Sequence, residues 1–184
     1  MLALTRELVE RRLSDEHSDT VDLHRRNLAN LDLSALNLAG VIFERANMER
    51  ANLRGADLRG AVLERANLAG ASLRGANLTQ AVLANACLEW ACLSGANLDR
   101  AFLIGARLAN AYLRNADLRG AVLRGADLSA AILRGADLRG ANLTRATLRG
   151  ADLAGARIDG ARFNAETIWP DGFTPAGALL VQEW

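Results

Sequence analysis

The residues able to do chemistry are few, and their spacing does not suit catalysis. His17 and His24 are the only histidines, both near the front of the chain, and no Ser-His-Asp order or metal-ligand spacing surrounds them. All 22 basic residues are Arg, so a Schiff-base or general-base lysine is absent. Asp57, Asp117 and Asp137 recur like paired carboxylates, but each has an Arg two positions on, Arg59, Arg119 and Arg139, and surface ion pairing accounts for them better than acid–base work. Cys87 and Cys92 are the only thiols and are read as free. No enzyme activity, metal or cofactor is expected.

Other spacings fit recognition better than catalysis. Ile42, Val62, Val82, Phe102 and Val122 repeat at intervals of twenty, with Ile104 beside Phe102. Stacked β-branched residues can serve a sheet ladder alone, or form an exposed docking or dimer strip. Trp90 and Tyr112, with the two Cys, make a second candidate contact in the middle of the chain. Arg54, Arg74, Arg114 and Arg134 keep the same interval of twenty and form a basic column interrupted by Ser94. Such a ridge could meet phosphate or an acidic partner, although a solvating role is the simpler reading.

These intervals point to the elements that must position the residues. A large apolar residue occupies every fifth position from Leu23 to Phe163, nearly always Leu, and Ala stands two residues earlier without a gap from Ala46 to Ala161. On a helix that Leu would rotate around the axis, and on a strand alternate Leu would face opposite ways. Only a chain that turns once per unit keeps every Leu inside, and this requires a solenoid. Interval-twenty recurrence then means four units per coil, four flat sides, and coils stacked roughly 4.8 Å apart. About seven coils follow. Fourteen of the 16 Gly lie two residues after the central apolar residue, with Asn30, Asn85, Asn110 and Asn115 as substitutes, and mark the corners. The axis is filled by methyl groups and leaves no ligand cavity.

Composition agrees with this scheme. Hydrophobic residues make up 51% of the 184, yet aromatics only 4%, which excludes an aromatic core. Of the 22 Arg and 21 acids, residues 1–20 hold three and five and residues 164–184 none and three. The repeat core keeps 19 Arg against 13 acids and is basic. The first residues carry charges where a secretory leader needs an apolar stretch, and no run approaches membrane-spanning length, so a cytoplasmic protein with no membrane contact is expected.

Units such as Ala-Asn-Leu-Arg-Gly at 51–55, Ala-Asp-Leu-Arg-Gly at 56–60 and Ala-Asp-Leu-Ser-Ala at 126–130 resemble those of the pentapeptide-repeat proteins, and Thr-Ile-Trp-Pro-Asp-Gly-Phe at 167–173 resembles the ends of bacterial, especially cyanobacterial, members. The resemblance implies an all-β solenoid, specifically a right-handed quadrilateral β-helix. Three regions are expected: residues 1–20 as an N-terminal capping helix and linker, 21–163 as the β-helix, and 164–184 as a C-terminal cap or tail. The helix is placed at about 3–13, with Leu4, Leu8 and Leu13 on its buried face. Trp169, Phe173, Leu179, Leu180 and Val181 are expected to cover the last coil.

The function expected is a non-enzymatic scaffold whose flat sides are offered to a partner protein, with a homodimer through the apolar strip as one form. Some family members bind DNA gyrase by imitating duplex DNA and so protect it from quinolones. That alternative needs a strongly anionic rod, and this core has the opposite sign. Nucleic acid itself is a less favoured partner.

Overall fold

A computed structural model describes residues 5–14 and 21–181. Over the repeat the backbone follows one five-residue cycle. The residue before each central Leu forms a single parallel bridge to the residue twenty positions on, and two turn residues follow the Leu. The chain thus stacks on itself every fourth unit. The first side carries Asp22, Ile42, Val62, Val82, Phe102, Val122 and Asn142, and the second Asn27, Asn47, Asn67, Cys87, Arg107, Asp127 and Thr147. The third carries Asp32, Asn52, Ser72, Cys92, Tyr112, Ile132 and Asp152, and the fourth Asn37, Asp57, Asn77, Asn97, Asp117, Asp137 and Arg157.

Alternation within one unit explains the inside and the outside. Ala and Leu flank the bridge residue and point opposite to it, as successive strand residues must. The central Leu residues from Leu23 to Leu148 are fully buried, as are the Ala residues from Ala46 to Ala146, while the bridge side chains between them are half-buried or exposed. One apolar cluster runs the length of the repeat.

Each corner is closed by a turn, as in Ala46 N–H donating to the Phe43 carbonyl at 2.9 Å. The third residue of the turn has positive φ, which fits a type II turn. Gly and Asn were the expected occupants. The geometry is imposed equally on Arg25, Arg45, Arg65, Gln80, Ala130 and Trp90, because bonds to the next coil hold the corner whatever side chain is there.

Asn and Asp at the bridge positions also stabilise their own turns. At every such position the Oδ1 accepts the N–H of the residue two further on, for example Arg54 N–H to Asn52 at 3.2 Å and Asp99 N–H to Asn97 at 2.9 Å. This is the Asx turn, and it saturates a backbone donor that no coil above or below can reach. Amide side chains stack as well, with Asn67 Nδ2 donating to Asn47 and Asn47 Nδ2 to Asn27, at 3.1 and 3.2 Å.

At the front, α1 (Arg6–Leu13) begins at Thr5, whose hydroxyl accepts the Leu8 N–H. Val9 is its buried residue and joins the core, with Leu13 packed beside it. The expectation for Leu8 was wrong: it is 40% exposed. Adjacent helix positions differ by about 100°, so turning Val9 to the rod carries Leu8 outward. Leu4 lies outside the described residues. Arg6 and Arg12 donate to the carbonyls of Asp32 and Asp22 at 3.4 Å, using acceptors of the first coil.

At the back the cycle gains one residue. Thr147 bridges Ile168, twenty-one positions on. Asn164 is buried there, accepting the Arg145 N–H at 2.9 Å, while the Thr167 hydroxyl donates to the Leu143 carbonyl. Trp169 packs edge-on against Phe163 and stacks on Phe173 at 5.3 Å, and both Trp169 and Phe173 rest on the core. Leu179 and Leu180 do not cover the last coil. They form β2 (Leu179–Leu180), paired in parallel with β1 (Arg162–Phe163), and are 55% and 67% exposed because the strand extends the first side instead of folding over the end.

Candidate functional site

The structure divides the candidate surface residues among different sides. Ile42, Val62, Val82, Phe102 and Val122 are consecutive rungs of the first side, half-buried except for Phe102, which is 43% exposed. Ile104 is exposed on the turn that follows Phe102. Tyr112 lies on the third side, opposite this stripe, stacked directly on Cys92. Trp90 occupies the corner where the second side passes into the third. The eight residues are therefore two surfaces.

Trp90 is the most unusual of them. It is 57% exposed and has φ +61°, a left-handed conformation that L-residues enter at a cost of about 1–2 kcal/mol. Its N–H reaches the Ala109 carbonyl at 3.2 Å, a longer bond than the neighbouring corners make. Sequence reasoning singled out the residue but had no means of weighing its backbone.

The basic column is a real row, since Arg54, Arg74, Ser94, Arg114 and Arg134 each stand two residues beyond successive rungs of the third side. Its members are not equivalent. Arg134 Nε pairs with Asp152, whereas Arg54, Arg74 and Arg114 make no ion pair among the described residues. An open notch of about 350 Å³ lies where Ser94 interrupts the row, lined by Arg74, Gly75, Ser94, Gly95, Arg114 and Asn115.

The flanking fourth side is neutralised. Arg59, Arg119 and Arg139 each hold the Asp two residues earlier through Nε and Nη2, the latter at 2.6 Å from Asp57, Asp117 and Asp137. These guanidinium hydrogen bonds keep the three carboxyls below the usual carboxylate range, against the opposing effect of burial. The ion-pair reading of these aspartates is the geometry observed.

Cys87 and Cys92 are free and sit on adjacent sides. His24 Nδ1 is 2.9 Å from Asp22, and His17 lies outside the described residues. Among the described residues no cluster of three His, Cys, Asp or Glu could hold a metal ion, and no helix is long and apolar enough to cross a membrane.

The model of the pentapeptide repeats matches residues 27–65, 61–100, 101–140 and 126–164, eight copies in all, spanning three quarters of the chain. The chain belongs to the pentapeptide-repeat family. Right-handed quadrilateral β-helices are the architecture of this family. Similar solved structures include HetL, a pentapeptide repeat protein involved in heterocyst differentiation regulation from the cyanobacterium Nostoc sp. strain PCC 7120. It is 26% identical over 94% of this chain and 99% of that one, with a TM-score of 0.34. The pentapeptide repeat protein alr5209 from Nostoc PCC 7120 is 25% identical over 98% of both chains, with a TM-score of 0.30. QnrB1, a plasmid-mediated fluoroquinolone resistance protein, is 16% identical over 88% of this chain and 92% of that one, with a TM-score of 0.35. No curated protein matches the chain.

Proposed function

We propose that this pentapeptide-repeat chain is a non-enzymatic scaffold, a rod of about seven coils closed at its front by α1, that docks a partner protein at the Trp90 corner. The observation that carries the reading is Trp90 itself, a bulky, exposed side chain held at a backbone conformation that Gly would adopt without strain. Other non-Gly corners share this backbone, so it is the exposed indole that sets Trp90 apart, and Trp is among the side chains most enriched at binding anchors. Tyr112 and Cys92 extend the surface along the third side.

Affinity capture from the native host tests this. Trp90→Gly relaxes the corner and leaves the coil intact, so it should lose the partner that the wild-type protein retains while remaining folded. Retention of the same partner by both proteins refutes the docking role. Self-association through the first side is a separate reading, motivated by exposed Phe102 and Ile104. It predicts that Phe102→Asp lowers the mass measured by light scattering. Gyrase binding, known in this family, is disfavoured by the excess of Arg over acids in the repeat core. Inhibition of purified gyrase at near-stoichiometric protein would reverse that ranking.

A further inference from the structure

The third side leaves a run of backbone donors uncovered beside cationic side chains. Wherever a bridge residue is Asn or Asp, its Oδ1 takes the N–H two residues on, which shows that this N–H lies at the outer surface. On the third side, Ser72, Cys92 and Tyr112 occupy three successive rungs and supply no such acceptor. The N–H groups of Arg74, Ser94 and Arg114 consequently have no partner among the described residues. They are stacked one per coil, roughly 4.8 Å apart. The first side also lacks Asx turns at its apolar rungs, but Glu44 and Glu64 follow two of them, and an acid beside a free donor repels an anion.

At the same three positions the guanidinium groups of Arg74 and Arg114 make no direct ion pair, Arg114 sensing Asp152 only at longer range; they stand one above and one below Ser94, and the notch lies between them. The Cys92 thiol donates weakly to Ser94 Oγ at 3.8 Å, so the hydroxyl proton of Ser94 remains available to an outside acceptor. Two guanidinium groups without a direct ion pair, a hydroxyl and a row of free amides border one opening, and all of them donate.

We propose that the notch bounded by Arg74, Ser94 and Arg114 binds a phosphomonoester carried on a side chain of a partner protein. A phosphomonoester is close to a dianion at neutral pH and offers several strong acceptor oxygens, which matches this set of donors. A nucleic-acid backbone fits less well. Beyond the notch only Arg54 continues the column without an ion pair, while Arg134 is paired with Asp152 and Arg59, Arg119 and Arg139 on the flanking side with their own Asp, which makes a poor track for a long polyanion. The site does not depend on the docking role given to Trp90, because Trp90 contributes none of its donors.

Amide resonances of the isotope-labelled full chain provide the test, during titration with a short phosphoserine peptide, its unphosphorylated twin and inorganic phosphate. The amides of Arg74, Ser94 and Arg114 should shift and saturate with the phosphopeptide, at least as tightly as with inorganic phosphate, and stay still with the twin. Arg74→Gln combined with Arg114→Gln should weaken binding by about tenfold or more. Cys92→Asn is the sharper variant, since it restores an Asx acceptor for the Ser94 N–H. It should weaken phosphopeptide binding without lowering the melting temperature, and Trp90→Gly should leave binding unchanged. Tighter binding of inorganic phosphate, equal response to the twin, no saturation at the three amides, or a DNA duplex that phosphopeptide cannot displace would each overturn the proposal.

Discussion

Leu98 lies in the middle of the aliphatic column, fully buried, and its truncation to Ala has a magnitude that follows from the surrounding geometry. Three carbons leave the core, and at about 0.8 kcal/mol each their transfer accounts for roughly 2.4 kcal/mol. Whether the void then closes depends on its walls. Leu98 N–H donates to the Asp117 carbonyl at 2.7 Å and Leu78 N–H to that of Asn97 at 2.6 Å, so the coils on both sides are fixed at the spacing of the ladder and cannot move inward. A void that persists adds about 1–2 kcal/mol at roughly 24 cal/mol per Å³, and the sum is about 4 kcal/mol. Leu153 is the control. It is near the open end, slightly exposed, and its N–H makes no bond to a further coil among the described residues, so its surroundings can relax. Leu153→Ala should cost about 2 kcal/mol, the low end for such truncations. Urea titrations followed by far-ultraviolet circular dichroism measure both. A cost below about 1.5 kcal/mol for Leu98→Ala, or equal costs for the two variants, would refute the rigid-column reasoning.

Arg119→Ser removes the partner that depresses the Asp117 carboxyl. Because the folded-state value lies below the unfolded one, the stabilisation is present above about pH 4 and is lost as pH falls through the folded value. Melting temperatures of the two proteins should therefore differ at pH 7 and converge towards pH 2, and a gap independent of pH would contradict the assignment. Trp90→Gly should raise stability by about 1 kcal/mol in urea, by releasing a side chain from positive φ; a loss would mean that the indole packs on its neighbours more than its exposure indicates. Gly125→Ala and Gly135→Ala both place a Cβ at positive φ, but the Cβ at 125 meets open space while that at 135 collides with Asn115 Oδ1. The second substitution should lower the melting temperature more, and equal shifts would show that the Asn115 amide moves aside freely.

The column, the corners and the stacking of like residues were legible because each depends on which residue recurs at which interval. Leu at every fifth position and Val at every twentieth leave one way to bury the first and align the second. The ends were not legible in the same way. Leu8 and Val9 are both apolar neighbours on a short helix, and only the docked orientation of α1 decides which is buried. Leu179 and Leu180 look like a lid by composition, yet their unpaired backbone finds the edge of Arg162–Phe163 and becomes strand. Among the candidate sites, the Arg column was visible in the sequence, but its division was not, because Arg134 differs from Arg74 only by having Asp152 within reach. The free amides beside Ser72, Cys92 and Tyr112 became apparent only once the Asx turns of the other rungs were seen.

Because each rung pairs with the residue twenty positions on and with nothing else in between, the chain carries a phase as well as a length. Excising one complete coil would shorten the rod and leave every downstream side chain beneath its former neighbours. Excising a single pentapeptide such as 103–107 would advance everything after it by a quarter turn, bringing Val122 onto Asn97 and separating Arg114 from Arg74. The single added residue between Thr147 and Ile168 is such a dephasing event in native form, and regular winding stops there.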